Sequence, residues 1–142
     1  MLKKRILFLC THNSARSIIA EAIGNHLGSE TVECFSAGTQ PAFVRPLTLA
    51  TLEESGIENL DTLHSKSINE FITQKFDFII TTCDEANENC PIFPGNAIKL
   101  HWGLPDPSQA SGSEDEQLNE YRKVRDDLKK RITKLVLTFD KK

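Results

Sequence analysis

No segment of this 142-residue chain stays apolar over the ~20 positions that a membrane-spanning helix needs. The opening Met1-Leu2-Lys3-Lys4-Arg5 leads into only five apolar residues, too few for the core of a signal peptide. The expectation is a cytoplasmic protein with no membrane partner. An excess of basic charge is also missing: 17 Lys and Arg stand against 20 Asp and Glu, for a net charge of -3. The basic residues are dispersed except near the C-terminus, which argues against a nucleic-acid surface. Any anion must then be held locally. Four cysteines do not make a structural disulfide framework in a reducing compartment, where such residues are reactive, metal-binding or packed in the core. Repeats and linkers are absent as well. The reading is one domain over residues 1–142, large enough for a core without disulfide staples.

What is present is an alternation of strands and helices. The apolar run Ile6–Leu9 predicts a strand, and Ile18, Ile19, Ala22, Ile23 and Leu27 recur at helical spacing after it. Thr31–Ser36 predicts a second strand, and Pro46–Ser55 a helix stopped by Gly56. Ser67–Gln74 predicts a short helix opened by a Ser or Asn cap. Phe76–Thr81 is nearly continuous in apolar residues, as in a parallel strand buried on both faces. Residues 82–95 predict an irregular segment, Ala97–Leu100 a short strand and 101–112 a loop. Glu114–Leu137 then predicts a long amphipathic helix with Leu118, Tyr121, Val124, Leu128, Ile132 and Leu135 on one stripe. The fold class expected is α/β, a three-layer arrangement with a central four-stranded parallel sheet and helices on both faces. Reactive loops gather at the carboxyl ends of such strands, where Cys10 and Cys83 both fall.

Between the first strand and the first helix the chain reads Cys10-Thr11-His12-Asn13-Ser14-Ala15-Arg16-Ser17. Backbone N–H groups at a helix start lack intrahelical partners and sit at the positive end of the macrodipole, so a compact loop there is suited to an oxyanion. Amides and a cation around a thiol lower its pKa and favour the nucleophilic thiolate. A guanidinium matches a tetrahedral oxyanion with two parallel bonds, and a serine hydroxyl can stabilise a departing thiolate. The loop is therefore expected to bind an oxyanion through Thr11 to Ser17, with Cys10 as nucleophile, Arg16 as chelator and Ser17 bonded to sulfur. His12 is read as a loop residue without a side-chain role. The bland alternative is that Cys10 is a small buried residue ending a strand.

Cys83 and Cys90 sit in Thr81-Thr82-Cys83-Asp84-Glu85-Ala86-Asn87-Glu88-Asn89-Cys90-Pro91. A metal site would want two more close ligands, and His64 and His101 are scattered. Two unrelated core cysteines are the other plain reading, although an acidic, Asn-rich segment is a poor place to bury them. Neighbouring carboxylates make Cys83 a poor first nucleophile and better suited to a later attack on an activated partner. Cys34 alternates with Val32 and Phe35 in a strand and reads as packing. Asp106, in Leu104-Pro105-Asp106-Pro107-Ser108, is either a turn former or the proton donor that a displaced oxygen needs.

Four stretches together, 10–17, Ser36-Ala37-Gly38, 81–91 and His101-Trp102-Gly103-Leu104-Pro105-Asp106-Pro107, resemble the arsenate reductases built on the low-molecular-weight protein tyrosine phosphatase fold. The likeness is greatest to their thioredoxin-coupled branch and covers nearly the whole chain. It implies arsenate as substrate, with phosphate or sulfate competing, and a role in arsenic detoxification. It further implies Cys10 as nucleophile, Cys83 and Cys90 as a redox-active disulfide relay, Asp106 as acid, thioredoxin as reductant and no cofactor. The alternatives are a tyrosine phosphatase, which shares the loop but not the relay, and a redox or oxyanion sensor without turnover. Phosphatases often carry aromatic residues after Asp-Pro, whereas Ser108 and Gln109 follow here. Relatives often have Gly at the place of His12 and Cys at that of Ala15. Potassium-binding members use residues matching Asn13, Glu21 and Ser36 with an Asp near Ser67. Residues 64–67 here read His-Ser-Lys-Ser, which offers Lys66 as a substitute for that cation.

Overall fold

In the computed structural model, which describes residues 2–140, the run Ile6–Leu9 lies inside strand β1 (Lys4–Cys10). It is an inner strand of a four-stranded sheet, flanked by β2 (Val32–Gly38) and β3 (Phe78–Thr81), with β4 (Ile98–His101) beyond β3. Every pairing is parallel: Leu7 stands opposite Phe35 and Ile79, and Phe78 opposite Ile98. All carboxyl ends therefore share one rim. The chain leaves β1 toward β2 on one side and later returns to β3 on the other. The rim beside β1 is thus a point where strand order reverses, the position at which open α/β sheets receive ligands.

Side-chain alternation along β1 divides the core. Ile6 and Phe8, with Ile80, pack against helices α1 (Arg16–Leu27) and α2 (Pro46–Glu54) and the C-terminal α4 (Glu114–Asp140), through Ile19, Ile23, Leu52, Val124, Leu128 and Ile132. Leu7 and Leu9, with Ile79, face a smaller cluster containing Phe71, Phe76 and Phe93, to which the short helix α3 (Asp84–Glu88) adds Ala86. Helices lie on both faces, as expected, but the long ones share a single face. On α4 the predicted stripe is buried at Tyr121, Val124, Leu128 and Ile132; Val136 closes it, and Leu135 packs only partly. The helix opens with a capping box, in which Ser113 Oγ accepts from Glu116 N–H at 3.1 Å and Glu116 Oε1 accepts from Ser113 N–H at 3.1 Å. Arg122 and Arg125 both grip Glu54 and tie α4 to the end of α2.

Two segments differ from expectation. Residues 67–74 form only a single 3₁₀ turn, Ile68–Glu70. Ser67 supplies the expected cap, accepting from Asn69 N–H at 3.1 Å, but the chain then turns Phe71 into contact with Phe35 and Phe76 instead of continuing. Residues 82–95 are not wholly irregular, since α3 forms there with Asp84 and Glu85 in its first turn, where acidic side chains complement the helix dipole. Among the described residues no helix is long and apolar enough to cross a membrane.

Candidate active site

The loop after β1 is held from outside by its carbonyl groups. Thr39 N–H donates to Cys10 O, Gln40 N–H to Thr11 O, Ala42 N–H to His12 O and Arg45 N–H to Ser14 O. Thr48 Oγ1 also donates to Ser14 O, at 2.8 Å. A trans peptide sets N–H opposite C=O, so four outward carbonyls turn the amides of Thr11, His12, Asn13 and Ala15 toward the loop centre. The Asn13 amide shows the result: it donates to Cys10 Sγ at 3.1 Å, from a left-handed backbone at φ 50. Gly38, at the end of β2, makes this approach possible. A Cβ there would stand 2.6 Å from Thr11 O and 2.9 Å from Asn13 N.

Cys10 is buried at the end of β1, and its Sγ is 2.8 Å from Ser17 Oγ. The sequence led to an expectation of a lowered thiol pKa; in the structure burial dominates and pushes it above 9.0. The Ser17 hydroxyl and amide, the Arg16 guanidinium and the Asn13 amide all oppose that rise. Arg16 Nη1 donates to Leu104 O at 3.1 Å, and Nη2 is 3.7 Å from Asp106 Oδ2. The guanidinium thereby links the loop to the segment after β4. Asp106 caps the 3₁₀ turn Pro107–Gln109, its Oδ1 accepting from Ser108 N–H at 2.9 Å and Ser108 Oγ at 2.7 Å. Burial raises its pKa, but the Ser108 donors, Arg16 and Gln109 together leave the carboxyl below its ordinary 3.8. Asp106 thus forms the turn and also faces Arg16.

Cys83 directly precedes α3, and its Sγ lies 3.3 Å from Thr11 Oγ1, the first residue after Cys10. It is buried in the same cluster as Cys10 despite the acidic stretch that follows. Burial is possible because the neighbouring carboxylates point elsewhere. Asp84 Oδ1 is 2.9 Å from His101 Nε2, and Glu85 Oε1 accepts from Thr39 Oγ1 at 2.6 Å. That Thr39 bond is the main reason the Glu85 carboxyl lies below its ordinary range. Cys90 is half-buried beyond the end of α3, its thiol pushed up by burial against the opposing charge of Lys99. It lines a cavity of about 170 Å³ with Thr81, Asn87, Lys99 and His101. Cys34 is buried on β2 with its side chain against Gly24 in the core cluster, and its backbone is clamped by Asn25, whose Oδ1 accepts from Cys34 N–H at 2.8 Å and whose Nδ2 donates to Cys34 O at 3.0 Å. Among the described residues no group of three or more His, Cys, Asp or Glu is arranged to hold a metal.

The residues matching a potassium site do meet. Asn13 Nδ2 donates to Ser36 Oγ at 3.0 Å, and Ser36 Oγ donates to Glu21 Oε1. The Lys66 ammonium is already among them, 3.5 Å from Glu21 Oε1, 3.5 Å from Ser36 Oγ and 2.7 Å from His64 O. A resident potassium ion does not fit beside it. Two further links escaped sequence reasoning: the Thr11–Cys83 contact, and a chain in which Thr81 Oγ1 meets His101 Nδ1 at 2.7 Å while His101 meets Asp84. Neither carries a motif, because the partners are at least 17 positions apart in sequence.

The loop between β1 and α1, Arg16 at its end and Asp106 facing that arginine all lie within the reach of one family profile. The family profile described as low molecular weight phosphotyrosine protein phosphatase matches residues 5–142. The chain belongs to that family. An arsenate reductase from Shouchella clausii (strain KSM-K16) is 37% identical over 97% of this chain and 99% of its own length. Among solved structures, an arsenate reductase in the oxidized state aligns with TM-score 0.79 at 29% identity, over 96% of this chain and 98% of that one. A thioredoxin-dependent arsenate reductase from Corynebacterium glutamicum aligns with TM-score 0.66 at 31% identity, over 92% of this chain and 62% of that one.

Proposed function

We propose that this protein is an arsenate reductase in which Cys10, Cys83 and Cys90 act in succession and thioredoxin returns the enzyme to its reduced form. The observation that carries the reading is the position of Cys83, whose thiol stands 3.3 Å from Thr11 on the Cys10 loop. A phosphatase of the same fold completes its cycle with water and has no use for a second thiol at the loop. The relatives, themselves named arsenate reductases, support the same choice.

The inward amides and Arg16 bind the tetrahedral oxyanion and place it against Cys10 Sγ. The Cys10 thiolate attacks arsenic(V); an As–O bond breaks and the oxygen leaves as water, taking a proton from Asp106. The Cys83 thiolate then attacks Cys10 Sγ. The S–As bond breaks, its electron pair goes to arsenic, and arsenite departs from a Cys10–Cys83 disulfide. Next the Cys90 thiolate attacks Cys83 Sγ, Cys10 leaves as a thiolate, and the disulfide now joins Cys83 and Cys90. A thioredoxin dithiol reduces it. The protein acts in the cytoplasm, where that reductant is available. The shared loop and Asp106 also give weak hydrolysis of aryl phosphates, limited because Ser108 and Gln109 offer no aromatic grip.

The test is NADPH consumption with thioredoxin and thioredoxin reductase, with and without arsenate. Arsenate-dependent consumption with stoichiometric arsenite is expected. A catalytic efficiency on phosphotyrosine far above that on arsenate would reverse the assignment, and no turnover on either would favour a sensor.

A further inference from the structure

Lys66 is buried, with 9% of its side chain exposed, in a segment that precedes the turn at Ile68–Glu70. Burial of an ammonium is costly unless charge and hydrogen bonds offset it. Here one carboxylate, Glu21, and two oxygens, Ser36 Oγ and His64 O, surround it. The backbone on either side is engaged as well: Lys66 N–H donates to Asn13 Oδ1 at 2.8 Å, and Lys66 O accepts from Gly38 N–H at 2.9 Å.

These contacts fix the direction of a chain of protons that ends on Cys10. Because Asn13 Oδ1 accepts from the Lys66 amide, Asn13 Nδ2 must be the donor, to Ser36 Oγ at 3.0 Å and to Ser17 Oγ at 2.7 Å. Ser36, receiving one proton, passes its own to Glu21. Ser17, receiving the other, is left with its single O–H pointing at Cys10 Sγ, 2.8 Å away. A hydroxyl aimed at the sulfur favours the thiolate, whereas the reverse polarity would favour the thiol. The Glu21 carboxylate needed at the far end of this chain would, alone, add negative charge beneath the loop. The Lys66 ammonium offsets that charge.

We propose that Lys66 is a positioning residue, the built-in cation of the oxyanion loop: its backbone N–H orients Asn13 and with it the Ser17–Cys10 hydrogen bond, while its ammonium offsets the Glu21 charge beneath Cys10 and makes the enzyme independent of a bound monovalent cation. The proposal rests on Cys10 being the nucleophile, as argued above. It differs from the potassium site implied by resemblance in that the charge is covalently attached to the chain.

The experiment compares wild type, Lys66→Met, Lys66→Gln and Lys66→Met/Glu21→Gln in potassium, sodium and choline chloride at equal ionic strength. One readout is the pH profile of Cys10 alkylation by iodoacetamide, resolved by peptide mass spectrometry. The other is thioredoxin-coupled arsenate turnover. The alkylation profile needs no arsenate chemistry, so it reads the role of Lys66 even if the reductase assignment fails. Wild type should be equal in the three salts within about twofold, whereas removal of the ammonium exposes Glu21, Ser36 and His64 O as a cage for a hard monovalent cation. Lys66→Met should then move the alkylation profile to higher pH and lower kcat about tenfold or more, with part of each loss restored by potassium but not by choline. The double variant should lose the potassium response. If Lys66→Met does not fold, Lys66→Gln, which keeps a donor for His64 O, should show the same directions. Stimulation of wild type severalfold by potassium, or a charge-removing variant with the wild-type profile and kcat, would overturn the proposal.

Discussion

Thr11 Oγ1 lies 3.3 Å from Cys83 Sγ, so the residue that follows the proposed nucleophile holds the proposed second thiol. The contact joins the ends of β1 and β3, and it places Cys83 at the loop before any oxidation occurs. Replacement of Cys10 should abolish both adduct formation and turnover. Cys83→Ser should leave Cys10 able to attack arsenate once, and Cys90→Ser should release one arsenite per enzyme and trap a Cys10–Cys83 disulfide. Cys34→Ser, remote from the loop on β2, should remain active. Quenched single-turnover reactions read by peptide mass spectrometry distinguish these outcomes; multiple turnovers by Cys90→Ser with thioredoxin as sole reductant would contradict the order of the relay.

Asp106 carries a conflict between its resting state and its proposed task. The Ser108 donors and Arg16 favour its carboxylate, yet a general acid must bring a proton. An arriving oxyanion resolves this, because it engages the Arg16 fork and adds negative charge beside Asp106, and both changes raise the carboxyl pKa. Ser108→Ala removes one donor to the carboxylate and should move the Asp106-dependent limb of the adduct-formation pH profile to higher pH. Asp106→Asn should slow that step by a factor of ~10²–10⁴, the usual contribution of a positioned acid. The stability effect has the opposite pH sense. A carboxyl with a lowered folded pKa adds stability that is present above its ordinary 3.8 and is lost as pH falls through the folded value. Ser108→Ala should therefore destabilise at neutral pH and lose that effect in acid, as thermal melts across pH would show.

Ser17 is the nearest force opposing the burial of Cys10. Ser17→Ala should slow Cys10 alkylation at pH 7 by about tenfold or more, since a hydrogen bond to a charged group is worth ~1.5–3 kcal/mol. The same profile measured with Ser17→Thr, which retains the hydroxyl, should lie near wild type.

The parts legible in the sequence are those carried by neighbours in the chain. Ile6–Leu9 announced a buried strand, Pro46 and Gly56 bounded a helix, and Cys10 with Arg16 marked the two ends of the loop between β1 and α1. The 67–74 segment misled because its cap at Ser67 is real while the tertiary demand on Phe71, which packs with Phe35 and Phe76, overrides helix continuation. The α3 helix was hidden by weak helix formers, and it forms because Asp84 and Glu85 suit its first turn and are anchored to His101 and Thr39. The burial of Cys10, which works against the Ser17, Arg16 and Asn13 donors around its thiol, cannot be read from the loop sequence. Lys66 drew attention only through resemblance, since its partners Asn13, Glu21 and Ser36 come from three other segments.

Gly38 is an economical test of the loop itself. Its absent Cβ leaves room for Thr11 O and Asn13 N, both backbone atoms that cannot turn aside. Gly38→Ala should push the loop outward, destabilise the protein by ~1–3 kcal/mol as overpacking does, and weaken phosphate inhibition of alkylation at Cys10. Denaturant melts and alkylation protection by inorganic phosphate measure the two effects.

The final step of the relay demands motion in α3. Cys83 precedes that helix and Cys90 follows it, and Asn87 N–H to Cys83 O and Asn89 N–H to Glu85 O hold the turns between them. The five residues of α3 alone span about 7.5 Å at a rise of 1.5 Å per residue, whereas a disulfide needs its Cα atoms about 5.5 Å apart. The helix must therefore bend or unwind when Cys83 and Cys90 join. Apart from the buried Ala86, it is tied to the rest of the molecule by polar contacts: Asp84 to His101 at 2.9 Å, Glu85 to Thr39 at 2.6 Å, and Asn87 Oδ1 accepting from Thr81 Oγ1 at 3.4 Å. Opening would also carry the disulfide outward toward a protein reductant. Amide hydrogen exchange across residues 82–95 should lose protection in enzyme oxidised by one turnover, relative to reduced enzyme. His101→Ala, which removes one tie, should raise exchange in the reduced state and speed conversion of the Cys10–Cys83 disulfide to Cys83–Cys90. Unchanged protection in a sample whose Cys83–Cys90 disulfide is confirmed by mass spectrometry would show that the thiols meet without unwinding.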